Sequence, residues 1–256
     1  MRKLQHKKEA CISTIVPTLN EERNIQLLLE SIRHQSLDSE TLVVDAKSKD
    51  RTVAVAHKYG AKTIILPGHG EFISRNIGAK EAKGTLLVFT CADIIFPKEL
   101  FIRVINKFEK NPQIIALTGP GYAYDAPLFG KIEYIVYNLL RYFFAKLPKS
   151  LKRFSTSTNF LVVRKDYFEK TGGFAVDDIN ADGLMGRTLL SMGEVAFSLD
   201  TYFYLSARRM KNMGFLNFNK HYLYALENFF FSFSDTSTLK SIKNRSRKKH
   251  RKMREV

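Results

Sequence analysis

The sequence predicts an α/β fold, in which one domain is built on a mostly parallel central sheet covered by helices on both faces. Three observations lead there. From residue 11 to about 118, short apolar runs rich in β-branched residues alternate with segments whose apolar positions recur at helical spacing. Short buried strands separated by helices are the signature of parallel pairing, because each crossover lays a helix on the sheet. The length of 256 residues, with 45% hydrophobic and 26% charged, suits one sizeable core.

The first strand is expected at Ile12–Val16, and Asn20-Glu21-Glu22 opens a helix with Ile25, Leu28, Leu29 and Ile32 on one face. Thr41–Val44 follows as a strand, and Asp50 is placed to cap the helix carrying Val53, Val55 and Ala56. Lys62–Leu66 and Thr85–Thr90 are strands on either side of a helix over Phe72–Ala82. Pro97–Phe108 reads as a helix with proline in its first turn, where a missing N–H is harmless. After about residue 119 the pattern changes. Lys131–Lys146 is a strongly apolar helix candidate through Ile132, Ile135, Val136, Leu139, Leu140 and Phe143, most simply packed on the sheet as core, with a place in a membrane interface as the alternative. Asn159–Val163, Glu194–Ser198 and Tyr202–Leu205 read as strands, and Ala181–Met192 as a helix. Residues 213–233 carry aromatic and aliphatic side chains at roughly helical spacing. The organisation expected is a basic arm (1–10), a main domain (11–207), an amphipathic aromatic helical region (208–239) and a basic disordered tail (240–256).

Charge narrows the partners. The formal net charge is +16, and nine Lys/Arg lie between Lys240 and Arg254 against Glu255 alone. The rest of the chain is basic too, which suits an anionic ligand or surface. An aromatic, apolar segment followed by a polybasic run combines two membrane-anchoring signals, so residues 213–256 are expected to meet an anionic membrane surface. No run is long and apolar enough to span a bilayer. The tail lacks aromatics for base stacking, so no specific nucleic acid is expected. Two cysteines eighty positions apart make neither a disulfide framework nor a zinc pattern. With a charged N-terminus and no signal-peptide pattern, the expectation is a cytoplasmic protein, peripheral on the inner membrane face. Gly-x-x-x-x-Gly-Lys is absent, and Gly68-His69-Gly70 lacks the third glycine and the strand–helix setting of a dinucleotide fingerprint.

Ligands in open α/β sheets bind beyond the carboxyl ends of the strands. Thr18-Leu19-Asn20, Asp45 and Asp93 all fall at or just past such ends and are expected to converge. The motifs at these ends, Val16-Pro17-Thr18-Leu19-Asn20-Glu21-Glu22 and Val43-Val44-Asp45 with Ser48-Lys49-Asp50-Arg51-Thr52, resemble the opening of the family 2 glycosyltransferases. Ser74-Arg75-Asn76-Ile77-Gly78, Cys91-Ala92-Asp93 at the Asp-x-Asp position, and Gly172-Gly173-Phe174 with Ala181-Asp182 continue the resemblance, which covers about residues 11–207 in order. It implies a GT-A type nucleotide-sugar-binding domain and inverting transfer from a UDP- or GDP-sugar to a lipid-linked or saccharide acceptor.

The resemblance assigns Asp182 as general base, Asp93 as the ligand of Mg²⁺ or Mn²⁺, and Pro17, Thr18, Asn20, Glu21, Asp45, Arg75 and Ala92 to the donor side. It sets Gly172, Gly173 and Phe174 on the acceptor side. The chemistry agrees: displacement at an anomeric carbon needs charge stabilisation for the departing diphosphate and an acceptor for the hydroxyl proton. Ordinary structural roles compete for several of these residues. Asp45 can cap a loop, Asp93 a helix, Asn20 and Glu21 the first turn of theirs, and Arg75 can pair with Glu71. Asp177 or Asp178 can stand in for Asp182, and Arg208 or Arg209 can meet the phosphates. The chain departs from the family pattern twice, with Cys91 in place of the first Asp and Ala181 in place of a Glu. A degenerate, non-catalytic binding protein of the same fold is therefore the alternative, and a nucleotidyltransferase is disfavoured because no glycine-rich loop follows the first strand.

Overall fold

The computed structural model describes residues 12–148, 152, 156–175, 177, 181–214 and 217–218. The strands are β1 (Ile12–Thr18), β2 (Ser39–Asp45), β3 (Lys62–Ile65), β4 (Leu86–Thr90), β5 (Ile94–Ile95), β6 (Ile114–Thr118), β7 (Gly121–Ala123), β8 (Phe160–Arg164), β9 (Glu194–Phe197) and β10 (Phe203–Leu205). The helices are α1 (Glu22–Arg33), α2 (Thr52–Lys58), α3 (Glu71–Glu81), α4 (Leu100–Lys110), α5 (Leu128–Lys146), α6 (Lys165–Lys170), α7 (Ala181–Met192) and α8 (Arg208–Met213). Seven strands form one sheet in the order β3-β2-β1-β4-β8-β6-β9, and β5-β10-β7 form a small second sheet. β8 runs antiparallel to β4 and β6, while the other pairs of the large sheet are parallel.

Successive strand residues point to opposite faces, and the core divides accordingly. Ile12, Val16, Val43, Leu86 and Val88 pack on one side with Ile25 and Leu28 of α1 and Phe101 and Val104 of α4. Ile15, Leu42, Leu87 and Phe89 pack on the other with Phe72 and Ala79 of α3, Phe168 of α6, and Met185 and Leu189 of α7. The expected sheet covered on both faces is what the chain forms. Gly78 lets α3 lie close on the sheet, since a Cβ there would come within 2.5 Å of Ile15 Cγ2.

Two expectations about elements are corrected. The helix read from Pro97 begins at Leu100, because Glu99 takes a left-handed φ of 63°. Gln35 fixes that start, donating to Pro97 O (3.0 Å) and accepting from Phe101 N (3.1 Å). The larger correction concerns α5. Ile132, Ile135, Val136, Leu139, Leu140 and Phe143, read as core, are 47–62% exposed. The buried side of the helix is instead Gly130, Tyr134, Asn138, Arg141 and Ala145. Asn138 is held by Gly121, donating to its carbonyl (2.7 Å) and accepting from its N–H (3.1 Å). Arg141 donates to Gly119 O (3.2 Å) and Thr118 Oγ1 (3.1 Å). These polar anchors decide which way the helix faces, since leaving them unpaired in the interior would cost more than exposing apolar carbon.

The strands β5, β6 and β7 and the helix α6 were not read from the sequence. Of the aromatic segment 213–233, the described part is the end of α8 at Met213, Gly214 with φ 73°, Asn217, and Phe218, whose ring lies 6.3 Å from that of Tyr134. The remainder of that segment and the basic tail lie outside the described residues.

Candidate active site

The carboxyl ends of β1, β2 and β4 carry the polar residues that the spacing predicted would converge. Thr18 Oγ1 donates to Asp45 Oδ2 (2.8 Å), and Ser48 reaches the same carboxylate through its N–H (2.7 Å) and hydroxyl (2.6 Å). Asp45 is fully buried in this set, so its first task is to hold the two turns together. Asn20 takes a φ of 56°, a left-handed geometry that Asn tolerates better than most residues. It accepts from Lys49 N through its side chain and donates its own N–H to Ser48 Oγ. Asp50 accepts from Thr52 N (3.0 Å) and Glu22 N (3.1 Å), serving the first turns of two helices at once.

The small sheet supplies the other half. Leu205 of β10 pairs with Ile94 of β5, and Ser206 N donates to Asp93 O (3.0 Å). This register sets Arg208, at the start of α8, over two acids. Its Nε donates to Asp93 Oδ2 at 2.9 Å, and its NH1 and NH2 each donate to a Glu21 oxygen at 2.7 Å. Asp125 steadies the approach by accepting from Ala207 N (2.6 Å) and Ser206 Oγ (3.0 Å). Burial raises the Asp93 carboxyl above the usual range, and Arg208 opposes that rise.

Antiparallel β8 is what brings the second acid in. Because β8 runs against β4, its first residue Phe160 sits opposite Thr90, and the preceding Thr158 and Asn159 arrive at the edge where Cys91 lies. Asp182, in the first turn of α7, accepts from Thr158 Oγ1 at 2.7 Å and from Thr158 N at 3.2 Å. Burial raises its carboxyl as well, with Arg75 and Thr158 pulling the other way. Arg75 itself is wholly buried. Its NH1 donates to Glu71 at 2.6 Å, and its NH2 lies 3.3 to 3.4 Å from Thr90 O, Cys91 Sγ and Thr158 O. Its Nε has no hydrogen-bond partner among the described residues. Arg75 therefore links Thr158, which holds Asp182, to Cys91 from within the core. Arg208 is the cation hydrogen-bonded to Asp93 and Glu21, and Arg209 is near enough to lower the Asp93 carboxyl as well.

Several residues have structural duties the sequence did not disclose. Gly172 and Gly173 turn with φ of 75° and 83°. They deliver Phe174 into the core against Phe72 (5.2 Å), Phe89 (5.3 Å) and Phe168 (5.7 Å). Asn76 grips that turn, accepting from Phe174 N (2.8 Å) and donating to Phe174 O (3.0 Å). Asp177 accepts from Phe72 N (2.8 Å) at the first turn of α3, a cap that accounts for its presence. Asp178 lies outside the described residues. Asn76 was read only as part of the Ser74–Gly78 motif, with nothing local to signal a partner 98 residues away.

The donor set decides what cation could be held. Among the described residues no group of three or more His, Cys, Asp or Glu is arranged around one point. Burial pushes the Cys91 thiol up to about 12, so it stays protonated and is no ligand for a hard cation. Asp93 with Glu21 beside it fits Mg²⁺ or Mn²⁺ of the kind held by one or two carboxylates, with substrate phosphates completing the shell.

The comparisons with known proteins agree with this architecture. A protein of Haemophilus influenzae described as an uncharacterized glycosyltransferase is 36% identical over 107 residues, covering 40% of this chain and 36% of its own. Glucosyl-3-phosphoglycerate synthase of Petrotoga mobilis is 32% identical over 149 residues, covering 50% of this chain and 43% of its own. The chain thus spans under half the length of these curated relatives. Among solved structures, a mannosyltransferase from Pyrobaculum calidifontis in complex with GDP-Man and Mn²⁺ superposes with a TM-score of 0.60 at 20% identity, covering 88% of this chain and 71% of that one. At that identity the likeness establishes the fold, which is GT-A. The family model for glycosyl transferase family 2 matches residues 13–172, and this chain belongs to that family.

Proposed function

We propose that the chain is an inverting glycosyltransferase that moves a sugar from a UDP- or GDP-sugar to a lipid-linked or saccharide acceptor. The observation that carries this reading is the convergence of Glu21, Asp93 and Arg208 at the strand ends, with Asp182 linked to the same edge through Thr158 and Arg75. The turns built by Pro17, Thr18, Asn20 and Asp45 would receive the nucleoside, and Ala92, buried between Cys91 and Asp93, leaves the strand end uncluttered. Asp93 would hold Mg²⁺ or Mn²⁺, which when bound neutralises charge on the diphosphate. Arg208 would turn from the two carboxylates toward the phosphates, a charge-assisted pairing that strengthens as the leaving group gains charge.

In the step itself, the acceptor hydroxyl oxygen attacks the anomeric carbon, and its proton passes to the Asp182 carboxylate. The bond from that carbon to the diphosphate oxygen breaks, and the electron pair leaves with the nucleoside diphosphate. Attack opposite the leaving group inverts the centre. A raised carboxyl is a stronger base than an ordinary one, which suits this task. Gly172, Gly173 and Phe174 would support the acceptor side through the Asn76 clamp. Membrane contact through 213–256, on the cytoplasmic face, belongs to the same reading and rests on the aromatic segment followed by the polybasic run.

Cys91 and Ala181, where the family pattern has acids, favour a second reading, a binding protein of this fold with no turnover. Thermal-shift measurements with UDP, GDP and their sugars, with and without Mn²⁺, followed by donor turnover, separate the two. Stabilisation by a sugar nucleotide together with transfer supports the enzyme. Stabilisation with no turnover for any donor or acceptor supports the binding protein.

A further inference from the structure

Helix α5 is inverted for a helix of a water-soluble domain, and the inversion is built in. Its nineteen residues span about 28 Å. Leu128 and Phe129, 70% and 76% exposed, extend the stripe of Ile132, Val136, Leu139 and Phe143 along its whole length. At about 100° per residue the exposed apolar positions cover an arc of about 140°, directly opposite Tyr134, Asn138 and Arg141. The inward bonds of Asn138 to Gly121 and of Arg141 to Gly119 and Thr118 prevent the helix from rolling to hide this face. Apolar surface so continuous marks an interaction site.

The surrounding charge says what covers it. In sequence, residues 126 to 158 carry Lys131, Lys146, Lys149, Lys152 and Arg153, besides the inward-facing Arg141, against Glu133 as the one acid. Lys131 and Lys146 are exposed at the two ends of the stripe. Phe218, the last described residue, packs on Tyr134 of the same helix, and in sequence it precedes the polybasic segment at 240–254. We propose that the outer face of α5 is a docking surface for an anionic lipid bilayer, with the helix lying in the interface plane and its lysines among the headgroups. The inner face of α5 grips the segment Thr118–Gly121, and Gly121 starts β7, which shares the small sheet with β5 beside Asp93. Docking by α5 would therefore bring the site to the membrane surface. That consequence, access to a lipid-linked acceptor, rests on the transferase reading; the docking itself does not.

The full chain contains no tryptophan, so F143W carries a single reporter on the stripe. With vesicles of phosphatidylcholine and phosphatidylglycerol, its emission should shift to the blue and be quenched by brominated acyl chains, whereas phosphatidylcholine alone should do neither. The double variant L139E/F143E, altered only at exposed positions, should lose about tenfold or more in co-sedimentation with the anionic vesicles. Four outcomes overturn the proposal. They are undiminished sedimentation of the double variant, an unshifted F143W on vesicle-bound protein, emission already blue and unresponsive without lipid because the chain's own C-terminal segment covers the stripe, or a wild-type dimer that the double variant converts to monomer. Sugar-nucleotide thermal shift on L139E/F143E reads the transferase assignment separately, and is expected to match wild type.

Discussion

Replacing Arg208 with Met removes the cation shared by Glu21 and Asp93 while keeping the aliphatic stem. Three charge-assisted hydrogen bonds disappear, and such bonds are individually worth about 1.5–3 kcal/mol. The full sum does not apply, because the Arg208 side chain is 40% exposed and water screens the pairs. A net loss of about 1–3 kcal/mol is expected, or a fall in Tm of about 3–9 °C for a domain of this size. The pH dependence carries more information. Burial holds the Asp93 carboxyl above its unfolded value even with Arg208 present, and without Arg208 it rises further. A carboxyl raised on folding binds more protons in the native state, so its penalty is full above the folded pKa and is relieved as the pH falls through it. The R208M deficit should therefore shrink on acidification. Mn²⁺ alone should also restore part of the lost Tm, since two neighbouring carboxylates are left facing an empty position. Differential scanning fluorimetry at neutral and mildly acidic pH, with chelator or Mn²⁺, tests all three. An unchanged Tm at neutral pH, or a deficit that grows on acidification, would show that the Glu21–Arg208–Asp93 bridge does not hold the site as described.

Asp182→Asn should cut transfer by about 10²–10⁴-fold while leaving sugar-nucleotide affinity within a few-fold, measured by turnover and calorimetry; retained turnover reassigns the base. The same variant should be more thermostable than wild type at neutral pH, because the raised Asp182 carboxyl destabilises the fold when ionised, and the difference should vanish as the pH drops through its folded pKa. For wild type, the acid limb of kcat/KM should fall at a pH above the ordinary aspartate value of 3.8, and a limb at or below that value would count against Asp182. Gly173→Ala combines a φ of 83° with a Cβ 2.6 Å from Asn76 Oδ1, so it should destabilise by about 1–3 kcal/mol in chemical denaturation; a neutral substitution would mean the Asn76 clamp is slack.

The parallel half of the sheet was legible because each of β1, β2 and β4 is a run of buried β-branched or aromatic residues ending in a polar turn, and both features are local. The pairing of Thr18 with Asp45 followed from topology alone, whereas the link from Asp93 to the Glu21 turn runs through Arg208. What stayed hidden was non-local. Nothing in Phe160–Arg164 says that it runs against Leu86–Thr90, yet that direction is what carries Thr158, and with it Asp182, to Cys91. β5 and β7 are two and three residues long, too short for any period to register. The segment of α5 was read as a strongly apolar helix packed as core, whereas its apolar residues form the exposed side. Its apolar residues outnumber its polar ones, and the partners of Asn138 and Arg141 are backbone groups of Gly121 and Gly119 and the Thr118 hydroxyl, 17 to 23 residues away.

The charge balance around Arg75 explains how the site accommodates a thiol where the family pattern has an acid. A wholly buried guanidinium needs anionic neighbours, and an Asp at position 91 would lie within reach of it, as Cys91 Sγ does at 3.4 Å. With a protonated thiol there, Glu71 makes the direct ion pair, and Asp182 is the other carboxylate whose charge Arg75 feels. Arg75 in turn keeps the buried Asp182 carboxyl from rising as far as desolvation alone would take it. An acid at 91 would compete with Asp182 for the same cation and push the base toward its protonated form. On the transferase reading, the thiol at 91 thus leaves the charge of Arg75 to Glu71 and Asp182, while Arg208 neutralises Asp93 and Glu21 until a metal and the donor phosphates take its place.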